Sequence, residues 1–99
     1  MVNEVVLVGV IKQIEDKDEF KGKLFIQIEK HFFEGYSRVY DVVECEFWKS
    51  IHQKIITDIK CGDTLAIKGR IESSDYKFVV AIENIVLLNK SKNNILKGR

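Results

Sequence analysis

Apolar and polar residues alternate with a period of two along most of the chain, which is the pattern of half-buried β-strands. The alternation is clear in Leu24–Ile28, Val42–Phe47 and Leu65–Glu72. Two longer segments rich in valine and isoleucine, Asn3–Ile14 and Tyr76–Leu88, have the composition of strands as well. The pattern therefore predicts five strands.

One segment has a helical period instead. Ile51, Ile55 and Ile59 are spaced four residues apart, which predicts one amphipathic helix over Lys49–Lys60. Gly62 follows it, and glycine is the usual residue for the left-handed conformation that ends a helix.

The segments between these elements are predicted to be turns and loops: the charged Glu15–Lys23, the glycine- and serine-containing His31–Val39, and the short Ser73–Asp75. The order is strand, strand, strand, helix, strand, strand. A five-stranded, closed or partly open barrel accommodates this order with the fewest exposed strand edges. We predict an all-β chain with the oligonucleotide/oligosaccharide-binding fold (OB-fold) and one helix between strands 3 and 4. A split sheet packed on the helix is the alternative.

Charge divides the chain into two unequal parts. Residues 1–88 carry 12 Lys+Arg and 15 Asp+Glu, whereas residues 89–99 carry four basic residues and no acidic one. We predict an OB-fold domain at 1–88 and a flexible basic tail at 89–99. The apolar runs are too short to cross a membrane, and Cys45 and Cys61 fit neither a disulfide framework nor a zinc motif. A cytoplasmic protein that does not contact a membrane is expected.

Three segments carry a resemblance to a known family. They are Asn3–Gly9 (NEVVLVG), Asp41–Lys49 (DVVECEFWK) and Lys60–Ile71 (KCGDTLAIKGRI). In this order they resemble the first strand, the third strand with the start of the helix, and the helix end with the fourth strand of bacterial single-stranded DNA-binding proteins. The resemblance implies an OB-fold that holds single-stranded DNA without chemistry and assembles as a dimer of dimers through the first strand.

Three features depart from that family. The chain ends in Lys97–Arg99, where those proteins carry a tail with an acidic tip. Val42 stands where they have a stacking aromatic residue, and the hairpin between strands 4 and 5 is reduced to Ser73–Asp75. A barrel without the acidic tail is similar also to primosomal replication protein B.

Binding of single strands needs aromatic surfaces for the bases and cations for the backbone. The segment predicted to be a loop offers Phe33, Tyr36 and Arg38, and Tyr40 follows directly after it. Phe25 should point outward, because its neighbours on both sides point inward. The alternatives are that the loop aromatics close the end of the barrel and that a neighbouring subunit covers Phe25.

Further candidates lie on the later strands. Lys68 and Arg70 share the outer side of strand 4 and are spaced for consecutive phosphates, and Tyr76 and Lys77 lie at the last hairpin. Phe78 is expected in the core.

Three residues of the third strand complicate this interface. Trp48 is a candidate for stacking, but a tryptophan between strand and helix also commonly seals a core. Glu44 and Glu46 should share the outer face of strand 3, where they would repel phosphates. Either the nucleic acid avoids them, or DNA is not the main partner.

We predict a non-catalytic protein that binds single-stranded DNA with little sequence preference, in replication, repair or mobile-element maintenance. A homo-dimer or tetramer is expected, with other replication proteins as further partners. The alternative is an OB-fold interaction subunit of a replication or primosome complex whose main partner is a protein, and a third reading is a preference for RNA. His31 and His52 have no nucleophile at motif spacing, and the chain has no glycine-rich phosphate loop. No catalytic residue, metal or cofactor is expected.

Overall fold

Five strands and one helix make up the computed structural model, which describes residues 3–34 and 37–91, with the exception of the side chains of 31–34, 37, 38 and 74. The elements in chain order are β1 (Val5–Asp16), β2 (Lys21–Glu34), β3 (Ser37–Trp48), α1 (Lys49–Asp58), β4 (Thr64–Ser74) and β5 (Lys77–Asn89). The predicted order of elements is confirmed.

The sheet closes on itself in the order β1-β2-β3-β5-β4. β1 pairs with β4 through Val5–Val10 and with β2 through Val10–Asp16, so this one strand joins both halves of the barrel. The barrel closes where β3 and β5 pair in parallel, with Cys45 opposite Val80. The predicted OB-fold barrel is confirmed, and the split-sheet alternative is wrong.

The core is built from the inward-facing residues that the alternation predicted. Leu24 and Ile26 of β2, Cys45 of β3, and Leu65 and Ile67 of β4 are almost completely buried. Their neighbours along each strand therefore face outward, which places the polar and aromatic candidates on the outer surface of the barrel.

Helix α1 begins at the predicted residue, Lys49, and Ile55 and Ile59 of the predicted stripe pack on the core, although Ile59 lies beyond the last helical residue. Ile51 is exposed, and His52 is buried in its place. A short helix touches the barrel along one narrow stripe, and the apolar spacing alone did not determine its first residue. Gly62 has the predicted left-handed conformation, with φ of 97°.

The prediction of a loop at His31–Val39 is wrong for those residues of the segment that the structure describes. β2 continues to Glu34 and β3 begins at Ser37, and these two residues are paired across the hairpin. Aromatic and β-branched residues favour extended backbone, and pairing with the opposite strand outweighs the polar residues among them.

The β4–β5 hairpin turns through Asp75 and Tyr76, which have φ of 50° and 66°. Positive φ at both central residues is the requirement of a type I′ turn, the two-residue turn that matches the twist of a hairpin. The hairpin extends past the barrel, so residues near its tip have no opposite wall. For this reason Phe78, which we expected in the core, is 79% exposed.

After β5 the chain remains bound to the barrel for two residues. The Lys90 ammonium donates to the carbonyl of Asp58 at 2.9 Å, and the Ser91 amide donates to a carboxylate oxygen of Asp63 at 2.7 Å. The rest of the predicted tail, residues 92–99, lies outside the described residues, and the domain boundary after residue 88 stays a prediction. No helix in the described part of the chain has the length and hydropathy needed to span a bilayer.

Candidate nucleic-acid interface

The outer face of β2, β3 and β5, called here the candidate interface, carries most of the predicted site. Pairing between β2 and β3 sets the outward side chains opposite one another: Lys21 with Trp48, Lys23 with Glu46, and Phe25 with Glu44. On the other side of β3, Glu46 lies opposite Ala81 of β5. Cationic and aromatic side chains from three strands therefore share one surface.

An open groove of about 490 Å³ crosses this surface, lined among others by Lys21, Trp48, Ile51 and Arg70. Trp48 is 46% exposed, so it does not seal the core. The Lys21 ammonium lies 4.6 Å from the centroid of the indole ring, a cation–π distance. A flat aromatic surface and a positive charge thus occupy the same end of the groove.

Four lysines surround the two glutamates; we call Lys17, Lys21, Lys23 and Lys77 the lysine cluster. On Glu46, the Lys17 ammonium lies at 2.6 Å and the Lys21 ammonium at 3.9 Å. On Glu44, the Lys77 ammonium lies at 2.8 Å and the Lys23 ammonium at 3.6 Å. The expected repulsion of phosphates by the glutamates is therefore opposed by the ammonium groups directly around them.

Hydrogen bonds favour the charged forms of Lys17, Lys77 and Glu44. The hydrogen bond to Glu46 raises the pKa of Lys17, and the hydrogen bond to Glu44 raises the pKa of Lys77. The pKa of Glu44 is lowered, mainly by the same bond from Lys77. Beneath this face, burial and then the nearby Glu44 charge raise the pKa of Cys45 to about 12, so its thiol stays protonated and unreactive at neutral pH.

The structure separates two cations that the sequence analysis grouped together. Arg70 lines the groove, where its guanidinium lies 2.8 Å from the Glu72 carboxylate. Lys68 is paired across the sheet with Val6 of β1, and its ammonium lies 3.3 Å from Glu4. Arg70 is thus part of the candidate interface, whereas Lys68 lies on the β1–β4 side of the barrel.

The aromatic candidates are distributed over the interface and its borders. Phe25 is half-buried, between Gln13 of β1 and Glu44 of β3, and Tyr40 is exposed farther along β3. Tyr76 is fully exposed at the tip of the β4–β5 hairpin. Three predicted residues fall outside the described side chains, namely Phe33, Tyr36 and Arg38.

Sequence reasoning missed four residues at this face. Lys21 and Lys23 continue the outward alternation that identified Phe25, so this pattern contained the signal for both. Lys17 and the exposed Phe20 lie in the segment predicted only as a charged turn. The sequence contains no pattern that identifies either residue, because the importance of that turn comes from its position beside β3 in the folded chain.

Among the described residues, no group of three His, Cys, Asp or Glu side chains could hold a metal ion. The polar groups of the candidate interface are ammonium, guanidinium and carboxylate groups. The ammonium and guanidinium groups can pair with the negative charges of a polyanion, and the carboxylates can accept hydrogen bonds from its donor groups.

No protein-family model matches the chain, and no curated protein matches its sequence. Its fold, in contrast, matches many solved structures. A mitochondrial single-stranded DNA-binding protein from S. cerevisiae superposes with a TM-score of 0.75 at 12% identity, covering 91% of this chain and 98% of that one. A small single-stranded DNA-binding protein from Mycoplasma pneumoniae has a TM-score of 0.65 at 21% identity, covering 87% and 86%.

The N-terminal domain of PriB from Thermoanaerobacter tencongensis, a dimer, has a TM-score of 0.69 at 18% identity, covering 89% of this chain and 98% of that one. At these identities the likeness is one of fold. The chain therefore has the OB-fold in the form shared by PriB and small single-stranded DNA-binding proteins, as its sequence resemblance predicted.

Proposed function

We propose that this protein binds single-stranded DNA at the candidate interface and does not catalyse a reaction. The observation that carries the proposal is the pairing of Lys21 with Trp48 in an open groove, with further cations adjacent on the same face. Cations and an exposed aromatic ring on one surface are what sequence-independent binding of single strands requires.

Each group has a defined task in this proposal. The Trp48 indole stacks on a base, which every base permits because each has a flat π-surface. The ammonium groups of the lysine cluster contact backbone phosphates, and Arg70 does the same when it exchanges Glu72 for a phosphate. Neither contact reads a base edge, so sequence preference is weak.

The comparisons support single-stranded DNA over a protein as the main partner. Two of the structures that share this fold are described as single-stranded DNA-binding proteins, one from a bacterium and one from mitochondria. We place the activity in replication, repair or mobile-element maintenance, where single strands are exposed.

We also propose that the chain forms a homo-dimer or tetramer through β1. Val6, Val8 and Val86 are exposed on the face of β1, β4 and β5, and Val8, Ala66 and Val86 lie side by side across these strands. Such a patch is typical of a protein contact. The PriB domain with this fold is described as dimeric, which agrees with this arrangement.

The test is a titration of labelled oligo-dT, about 20 nucleotides long, with the full chain at ~50 mM salt, followed by fluorescence anisotropy. We expect saturable binding with micromolar or tighter affinity, in competition with unlabelled single strands and not with duplex. The absence of a saturable signal would contradict the proposal.

A pair of charge-matched variants tests the site itself. Lys21→Gln/Lys23→Gln should weaken binding and flatten the log–log salt dependence by about 0.7 for each lost phosphate contact. Lys54→Gln/Lys60→Gln removes the same charge from the helix and the segment after it, and should leave both quantities nearly unchanged. Equal effects of the two variants would place the nucleic acid elsewhere on the barrel.

A further inference from the structure

The two carboxylates at the centre of the candidate interface lie beneath the ammonium groups that surround them. The Glu46 and Glu44 side chains are 7% and 14% exposed, while their four lysine partners are between 23% and 49% exposed. The lysines come from three parts of the fold: the β1–β2 turn, β2 and β5. A molecule approaching this face therefore meets the cations first.

Within the ion pairs themselves, four ammonium groups face two carboxylates. Asp18 and Asp75 add negative charge near Lys17, and Asp75 does so near Lys77. The carboxylates also restrict where the ammonium groups can lie, since Lys17 and Lys77 each donate a hydrogen bond shorter than 3 Å to one of them. Part of the cationic charge is thus already occupied by anions of the protein itself.

From this arrangement, and resting on the proposed function, we infer that Glu44 and Glu46 set the strength of nucleic-acid binding by competing with the ligand's phosphates for the lysine cluster. A phosphate that contacts Lys23 or Lys77 has to draw that ammonium away from Glu44. The glutamates act in this way as built-in counterions, and they limit the affinity of the lysine cluster for phosphates.

The competition has a distinct effect on salt dependence. A phosphate that contacts a lysine releases cations from the nucleic acid, but in the wild type the carboxylate that loses this lysine attracts cations in turn, so the net release is smaller. When the Glu44 charge is removed, Lys23 and Lys77 lose their partner within the protein and are neutralised only by ions from solution. Binding should then become tighter and more sensitive to salt.

The experiment compares Glu44→Gln with Asp16→Asn, each in the full chain. Asp16→Asn is the matched control, because it removes one negative charge and releases one lysine, Lys49 at 3.1 Å, away from the candidate interface. For Glu44→Gln we expect oligo-dT affinity to rise about three- to tenfold at ~50 mM salt, and the log–log salt slope to steepen by about 0.7 to 1.4. Asp16→Asn should change the affinity by less than about twofold, and it should change the log–log salt slope by less than about a fifth of the change expected for Glu44→Gln.

Three outcomes would overturn the inference. Equal tightening by both variants would show an effect of net charge alone, and unchanged or weaker binding by a folded Glu44→Gln variant would show that the carboxylate does not compete. Failure of the wild-type chain to bind oligo-dT at all would remove the proposed function and this inference with it. Wild-type binding with no tightening in the variant would remove the inference only.

A measurement on the wild-type chain keeps the test independent of the variant's stability. The Glu44 carboxylate faces Lys23 from β2 and Lys77 from β5, with Glu46 two residues along β3, and the Lys77 hydrogen bond lowers its pKa. If phosphates draw these lysines away, carbon-detected NMR titration should show the pKa of Glu44 rising when oligo-dT is bound. An unchanged or lower pKa in the complex would contradict the competition.

Discussion

Trp48 occupies the point at which β3 becomes α1, and its indole is half-exposed over the groove instead of buried in the core. The core below it is filled by Phe47, its neighbour in sequence, which faces inward. Period-two alternation explains this division, because two consecutive strand residues cannot both point into the barrel. An exposed tryptophan beside an ammonium group is better suited to a ligand than to the core.

We expect Trp48→Ala to weaken oligo-dT binding by about 1–3 kcal/mol, the contribution of one stacked base. The salt slope should stay nearly constant, because a lost stacking contact releases no counterions. Fluorescence anisotropy of the labelled oligonucleotide measures both. Gln53→Ala, which shortens an exposed side chain of α1 that does not line the groove, is the control. Unchanged affinity in Trp48→Ala would show that the groove does not bind bases.

Glu44 links the same face to stability. A carboxylate whose pKa is lower in the folded than in the unfolded chain stabilises the fold at pH values above its ordinary pKa of about 4.3. This stabilisation is lost as the pH falls through the lowered pKa of the folded state. Because the Lys77 hydrogen bond is the main cause, the contribution depends on a contact between β3 and β5.

We therefore expect the wild-type protein to lose more thermal stability than Glu44→Gln between pH 7 and pH 3. At neutral pH the wild type should have the higher melting temperature, and the two should converge under acid conditions. Thermal unfolding followed by circular dichroism at several pH values measures the difference. Parallel curves for the two proteins would mean that the ion pair contributes nothing to stability.

At the scale of the elements, both hairpins keep their strands paired up to the turn. The β2–β3 pairing extends to Glu34 and Ser37, and the β4–β5 pairing extends to Ser74 and Lys77. In the second hairpin the turn sets Tyr76 in a left-handed conformation, which is unfavourable for a side chain with a Cβ atom. The turn thus combines local strain with Tyr76, the most exposed aromatic residue among the predicted site residues whose side chains the structure describes.

Tyr76→Gly should raise the free energy of unfolding by about 0.5–1 kcal/mol, because glycine adopts positive φ without strain, a gain partly offset by its greater freedom in the unfolded chain. Urea denaturation measures this change. Ser73→Gly, in the adjacent strand, should lower the free energy of unfolding instead. If Tyr76 stacks on a base, the stabler Tyr76→Gly variant should also bind oligo-dT more weakly. A destabilised Tyr76→Gly variant would contradict the role of the turn.

At the scale of the whole molecule, the barrel has two outer surfaces of different character. The face of β2, β3 and β5 carries the lysine cluster and Trp48, whereas the face of β1, β4 and β5 carries exposed valines. The first half of β1 pairs with β4 on one edge. On its other edge, Val5–Val8 forms no strand pairing with any of the residues 3–34 and 37–91. Association through the valine face would leave the cationic face open to nucleic acid.

We expect light scattering to give a mass two or four times 11.5 kDa for the wild type. Val8→Lys should shift it toward a single chain, because a lysine at the centre of an apolar contact has to lose its hydration. Val42→Lys makes the same change at an exposed position on the candidate interface and should leave the mass unchanged. A wild-type mass of one chain at micromolar concentration would contradict the proposed oligomer.

The sequence by itself determined the order of the strands and the helix and the inward-facing Leu24, Ile26, Leu65 and Ile67 of β2 and β4. These features follow from local periodicity, since the side of a strand on which a residue lies depends only on its position in the alternation. Lys21 and Lys23 could have been identified from the same pattern. The resemblance of three segments to bacterial single-stranded DNA-binding proteins agreed with this periodicity and indicated the OB-fold.

Only the tertiary structure decided how the candidate site is assembled. Glu44 and Lys77 are 33 residues apart in the chain, and Lys17 and Glu46 are 29 apart. No local pattern shows that such residues meet, and for this reason the glutamates looked repulsive in the sequence. The exposure of Phe78 was likewise decided by where the barrel ends. The burial of His52 instead of Ile51 was decided by how α1 lies against the barrel. Each depends on parts of the chain that come together only when the barrel closes.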